Sequence, residues 1–413
     1  MSCSEHMSLS RRQLIRGSAA SLALWGFIPK PVAAGARDPR LLTVVLRGGL
    51  DGLSMVAPVG DPDYARIRQK LALTRDGPMA GLPLDGFFVL NPSMTYLHSL
   101  YVKGEALAVH SVATPYRGRS HFDGQDVLES GLGGVSRAED GWLNRALAGL
   151  TIAGKADPKG LAMGAVVPLV MRGAAPVMTW IPKAYGIQLR DSTIARLMDL
   201  YGQSDSKLAR AFAEGLEIDK VGMTTPSGAM SAPALPAGGQ RPFRDFIETA
   251  ETAAKFMSAS DGPRVGALSY NGWDTHANEG TVQGQLATRL AGLDAAIKVF
   301  AEGMGPAWKD TVVVIVTEFG RTAYTNGTEG TDHGTATAAL VLGGAVKGGR
   351  VIAKWPGLAD KNLHEGRDLL PTLDLRTVVK GVLRDHLGIP AGALGTTVFP
   401  ESRGVDPVDG LIA

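Results

Sequence analysis

The feature that most limits what this chain can become is a set of short apolar runs rich in branched residues, at 41–46, 106–112, 165–171, 265–270, 311–317 and 338–342. A strand wetted on one face would alternate polar with apolar residues. Unbroken runs fit strands covered on both faces, the condition inside a parallel sheet. Helical stripes lie between several of them. Leu286, Leu290, Leu293, Ile297 and Phe300 repeat at steps of four and three, which predicts a helix over 282–302 with one apolar face. Phe246, Ile247, Ala250 and Ala254 predict a second over 243–257. Leu370, Leu373, Val378, Val382 and Leu383 predict a third over 368–387, closed by Gly388. Strands and helices in alternation imply an α/β sandwich with a mostly parallel sheet. Residues 224–242, rich in Pro, Gly, Ser and Ala and lacking an apolar period, are expected to form a loop inside one domain spanning 37–413.

The N-terminal residues point to export. Ser10-Arg11-Arg12-Gln13-Leu14-Ile15-Arg16 is a twin-arginine pair followed by two apolar residues and a further cation. The apolar run 19–28 behind it falls short of the ~20 residues that a permanent span requires. Pro29, Lys30 and Pro31 close the run, and Ala33, Ala34, Gly35 and Ala36 offer a cleavage site. Residues 1–36 are therefore expected to be a twin-arginine signal peptide, with Met7 a suitable start. The expected partner in transit is the twin-arginine translocase, and the expected location is the periplasm or another exported compartment. Cys3, the single cysteine, lies within that leader. Disulfides, thiolate zinc sites and cysteine nucleophiles are thereby excluded from the mature chain. Without residues 1–36, 38 Lys and Arg face 39 Asp and Glu. Such a balance has no basic stripe for nucleic acid, and no other stretch is long and apolar enough to span a membrane.

In a parallel sheet, functional groups gather where strands end and loops begin. Asp51 follows the first run within Arg47-Gly48-Gly49-Leu50-Asp51-Gly52; Asp274 and His276 follow the fourth, and Glu318 and Arg321 the fifth. His333 precedes the sixth, in Gly330-Thr331-Asp332-His333-Gly334. The Asp-x-His spacing puts Asp274 and His276 on one side of an extended chain. Carboxylate oxygen and imidazole nitrogen are donors that zinc or another borderline divalent metal accepts when no thiolate is present. Asp51, Glu318 and His333 complete such a set if the sheet brings their strand ends together. Each residue also has a plainer role: Asp51 as a turn former, and Glu318 with Arg321 as an ion pair. His98, His110, His364 and His386 read as structural, the last as a cation near a helix C-terminus.

Asp51, the Asp274/His276 pair, Thr317-Glu318-Phe319-Gly320-Arg321 and Asp332-His333-Gly334 resemble the motif order of the alkaline-phosphatase-like superfamily, and Arg47-Gly48-Gly49-Leu50-Asp51-Gly52, Ser120-His121-Phe122-Asp123 and Gly330-Thr331-Asp332-His333-Gly334 carry a closer likeness. From about Leu41 to Leu387 the sequence is similar to the exported bacterial domain-of-unknown-function family 1501, grouped with that superfamily. The resemblance implies a three-layer α/β/α sandwich and a metal-dependent site for hydrolysing phosphate or sulfate esters. It implies two clustered ions, with Asp51 and Glu318 serving one and Asp274, His276 and His333 the other. It also implies an attacking Ser or Thr.

Two departures stand out. Glu318-Phe319 occupies the place of the superfamily's Asp-His pair and removes an imidazole. Ala113-Thr114-Pro115-Tyr116-Arg117 is the nearest match to the sulfatase Cys/Ser-x-Pro-x-Arg element, and alanine has no nucleophile. Thr114 and Ser120 are the nearby substitutes, with Arg117, Arg119, His121 and Arg321 available to hold an anionic ester. Ser120 is equally suited to cap a helix starting at His121. The expected function is hydrolysis of a small anionic ester. The alternative is a non-catalytic protein of the same fold that binds an envelope polymer.

Overall fold

A computed structural model describes residues 37–150, 160–164, 166–181, 191–204, 208–213, 215–216 and 240–413. The expected leader and residues 224–239 of the expected loop lie outside them. Among the described residues nine strands form the main sheet: β1 (Arg40–Arg47), β2 (Ala106–Ala113), β3 (Gly160–Met163), β4 (Val177–Trp180), β5 (Val265–Asn271), β6 (Thr311–Thr317), β7 (Thr337–Leu342), β8 (Arg350–Ile352) and β9 (Leu373–Asp374). Their order is β8-β2-β7-β6-β1-β5-β3-β4, with β9 pairing β2 off that path. β1 is central, pairing in parallel with β5 through Leu46↔Tyr270 and with β6 through Leu46↔Thr317. β7 alone among these strands runs antiparallel to its neighbours, β2 and β6.

The sheet is covered on both faces, as the unbroken apolar runs require. Leu42, Val44 and Leu46 of β1 pack toward helices Gln240–Ser258 and Gln285–Met304, with Phe246, Leu290, Leu293 and Phe300 in the same cluster. Leu41 and Val45 face the opposite layer, built from helices Trp142–Ala148 and Leu375–Asp385 and residues such as Trp142, Val378 and Val382. Three layers result, α/β/α. Among the described residues no helix is long and apolar enough to cross a membrane.

Two expected elements differ. The third run was expected as a strand over 165–171, yet the strand is Gly160–Met163, and Leu169–Met171 forms a short 3-10 turn after Pro168. Proline supplies no N–H to a ladder, so the pairing lies before it. The helix expected from 368 begins at Leu375, because Leu373 and Asp374 pair with Val112 and Ala113, and the Asp374 carboxylate caps the helix by accepting from Arg376 N at 2.9 Å. Leu370 is consequently 37% exposed rather than inward.

Candidate metal centre

The carboxyl ends of β1, β2, β5 and β6 meet at one edge of the sheet, beside the entry to β7. The glycines after β1 make that meeting possible. Gly48, at φ +122°, lies where a Cβ would stand 2.7 Å from Asp274 N and 2.8 Å from Trp273 N; at Gly49, φ +71°, a Cβ would stand 2.8 Å from the Phe319 ring. Only a residue without a side chain lets those strands approach so closely. Arg47 O accepts from Gly272 N and Trp273 N at 3.1 and 3.2 Å, and Trp273 is fully buried. Asp274 and His276 are thereby delivered to the edge. The Arg321↔His333 bridge sets His333 against them, and helix His121–Ser130 opens with His121 beside both.

Four side chains converge. His121 Nε2 lies 3.3 Å from Asp274 Oδ2, while His276 Nε2 and His333 Nε2 lie 2.9 and 3.1 Å from Asp274 Oδ1 and 3.1 Å from each other. Ligand atoms of His121, Asp274 and His333 all fall within 4.8 Å of one another. Each ring is held through its other nitrogen. His121 Nδ1 meets Glu318 Oε1 at 2.8 Å, His276 Nδ1 meets Asp332 Oδ1 at 3.3 Å, and His333 Nδ1 meets Arg119 O at 2.9 Å. Carboxylates and carbonyls only accept, so each Nδ1 donates in its contact and each Nε2 is the ring atom that faces Asp274. Arg119 adopts φ +62°, a strained conformation that turns its carbonyl onto His333. Phe319 stacks on His121, with ring centroids 4.9 Å apart, and floors the site.

Electrostatics follow these contacts. Burial pushes the Asp274 carboxyl up, but hydrogen bonding to Arg321 and its charge outweigh burial and hold it below the usual range. Glu318 is likewise held low against burial by His121, Gly48 N and Gln125. The bond to Glu318 raises His121, whereas burial lowers His333. His121 Nε2 is buried and has no hydrogen-bond partner. His121, His333 and the Asp274 carboxylate, with His276 Nε2 beside them, make a nitrogen and oxygen donor set whose chemistry suits zinc or another borderline divalent ion.

The remaining expected site residues take other positions. Asp51 is buried, accepts from Leu53 N and Ser54 N through Oδ1, and pairs with the buried Arg68 guanidinium through Oδ2. Glu318 is fully buried, its Oε1 accepting from Gly48 N, His121 and Gln125 and its Oε2 from Thr317 Oγ1 at 2.9 Å. Arg321 is buried and spent on Asp274 and Thr331. Thr114 is buried, donating to Glu318 O at 3.3 Å. Arg117 is exposed, its guanidinium folded onto the carbonyls of Thr114 and Tyr116. Ser120 holds the helix N-cap position without a side-chain cap bond, and its hydroxyl takes no hydrogen bond among the described residues.

His121, which the sequence allowed both as a holder of anions and, with Asp123, as a group able to reach a metal, stands at the centre. Ser120-His121-Phe122-Asp123 following the run 106–112 was the available signal, since the strand-end argument applies to it as fully as to Asp274. Arg68 and Glu279 carried no sequence signal, yet both are buried next to Asp51. Burial, reinforced by the charge of Asp51, pushes Glu279 well above the usual carboxylate range. The cationic reading of His386 is corrected: burial pushes it down to about 4, and Nε2 donates to Arg40 O at 2.9 Å.

A family model described as "Protein of unknown function (DUF1501)" matches residues 102–394. No curated protein matches the sequence. Among solved structures the chain is similar to a protein of the alkaline phosphatase superfamily from Vibrio parahaemolyticus, at 11% identity over 79% of this chain and 65% of that one, with a TM-score of 0.37. It is similar to phosphonate monoester hydrolase of Agrobacterium radiobacter, at 12% identity over 90% and 78%, TM-score 0.35. Alkaline phosphatase from the Antarctic bacterium TAB5 is another, at 12% identity over 76% and 95%, TM-score 0.34.

Proposed function

From the membership of this chain in the DUF1501 family and the geometry of its sheet edge, we propose that it is an exported, metal-dependent hydrolase of a small phosphate or sulfate ester. The observation that carries this reading is the convergence of three Nε2 atoms on the Asp274 carboxylate, each ring locked through Nδ1. His121, Asp274, His276 and His333 would hold the ion. A divalent ion bound there supplies Lewis acidity to an ester oxygen and lowers the pKa of a bound water.

The chain's own residues divide the remaining work. Ser120, one residue from His121 and with no hydrogen bond to its hydroxyl among the described residues, would attack, since the Thr114 hydroxyl is taken up by Glu318 O. Helix His121–Ser130 turns its N-terminus toward an incoming anion, which favours negative charge there. Arg117, exposed in the segment after β2, would help orient the anion. Arg321, out of contact with solvent, holds Asp274 in place and keeps it ionised. Export is supported by the twin-arginine motif at 10–16 and the apolar run behind it.

The test is the metal content of the purified mature protein by mass spectrometry, with turnover of aryl phosphate and aryl sulfate esters. Bound metal that disappears in Asp274→Ala, together with turnover of either ester, is the expected result. Metal-free protein, or metal without turnover of any such ester, overturns the hydrolase and favours a binding role.

A further inference from the structure

The resemblance to two-metal phosphatases assigns Asp51 and Glu318 to a second ion, and the side chains do not fit one. A divalent cation needs donor lone pairs left free and pointing into a common space. Asp51 is 1% exposed and Glu318 is fully buried. Both carboxylates are engaged on each oxygen from within the fold. Asp51 receives two backbone N–H groups of the helix it caps and the Arg68 guanidinium. Glu318 receives four donors, Gly48 N, His121 Nδ1, Gln125 Nε2 and Thr317 Oγ1.

Arg68 is no passing partner. It is fully buried, and besides Asp51 it donates to Ser54 Oγ at 2.7 Å, to Ala323 O at 3.2 Å and to Thr322 O at 3.3 Å. Those carbonyls lie just after Arg321, whose guanidinium balances Asp274. Thr331 joins the two halves, bonding Arg321 Nε at 3.1 Å and Glu279 Oε2 at 2.7 Å, with Glu279 in turn against Asp51. Each acid the resemblance would place on a second ion already has its counter-charge or its full complement of donors inside the protein. Bringing in a further double charge would strip those bonds from groups that water cannot reach and leave buried charges uncompensated.

We propose that the buried Arg68 guanidinium stands as the resident cation of the Asp51 side, so that the centre holds one divalent ion and Glu318 serves to orient His121. This rests on the metal-dependent reading above and narrows it to a mononuclear centre. The experiment loads the mature protein with Mn²⁺ alone, measures bound manganese per chain at saturation and records its electron paramagnetic resonance spectrum. One ion per chain with an uncoupled six-line spectrum is expected, and Asp51→Asn is expected to keep that stoichiometry while His121→Ala lowers it. Two ions with an exchange-coupled spectrum, or loss of one of them in Asp51→Asn, overturns the inference and leaves the hydrolase reading standing. No bound ion overturns both. The stoichiometry of the parent protein decides the matter even if Asp51→Asn fails to fold.

Discussion

His121 Nδ1 donates to Glu318 Oε1 at 2.8 Å across 197 residues of sequence, and that bond decides which nitrogen of the ring faces Asp274. A carboxylate behind an imidazole fixes the tautomer and makes the outward nitrogen a better donor to a metal. Glu318→Gln keeps the shape of the contact and removes its charge. The expected outcome is a zinc affinity about 10–100-fold weaker, with the fold retained. Competition titration against a chromophoric chelator measures it, and an unchanged affinity would show that Glu318 does not act through His121.

Gly48 is the point at which β1 passes under the Asp274 loop. Gly48→Ala forces a Cβ to within 2.7 Å of a backbone nitrogen at a φ of +122°. The backbone conformation alone costs about 1–3 kcal/mol, and the loop that carries Asp274 and His276 has to move. Urea denaturation is expected to show the loss, and zinc titration a matching drop in affinity. Parent-like values in both would mean that the strand ends are looser than this packing implies.

Stability is expected to fall with acid before the carboxylates titrate. His110 is fully buried, with Nδ1 accepting from Ser111 N at 2.7 Å and Nε2 donating to Val56 O at 2.9 Å, and burial pushes its pKa down to about 4. His386 is pushed down to about 4 in the same way. The unfolded chain binds those two protons near pH 6.5 and the folded chain near 4, so the unfolded state gains as pH falls through that window. Each accounts for a loss on the order of 3 kcal/mol by pH 4. His121 works the other way: raised by Glu318, it contributes stability that is full at low pH and lost as pH rises through its folded value. Urea midpoints from pH 7.5 to 4.5 are the measurement; a flat profile, or one unchanged by His110→Gln, contradicts the assignment.

Export is expected to depend on the arginine pair. Changing Arg11 and Arg12 together to Lys should hold the protein in the cytoplasm as an unprocessed precursor, read by fractionation and immunoblotting in a strain with an active twin-arginine pathway. Normal processing of that variant would remove the route from consideration.

Unbroken apolar runs and a 3.6-residue stripe were legible in the chain by itself, because local pattern dictates which face must be buried whatever the topology. They carried the sheet, its strands at 40–47, 265–271 and 311–317, and the helix behind Leu286 and Phe300. The pattern misplaced the strand near 165 and the start of the last helix, where a proline and a two-residue pairing overrode it. Strand-end logic also gathered Asp274 and His276, two residues apart, with His333, which the Arg321↔His333 bridge sets at the same edge. Which acids would stand open and which would be consumed lay beyond sequence, since that depends on partners far along the chain. Arg68 reaches Asp51 and Arg321 reaches Asp274 only after the sheet has closed. A carboxylate becomes a ligand or a counter-ion according to whether a guanidinium or a void faces it, and only tertiary packing decides that.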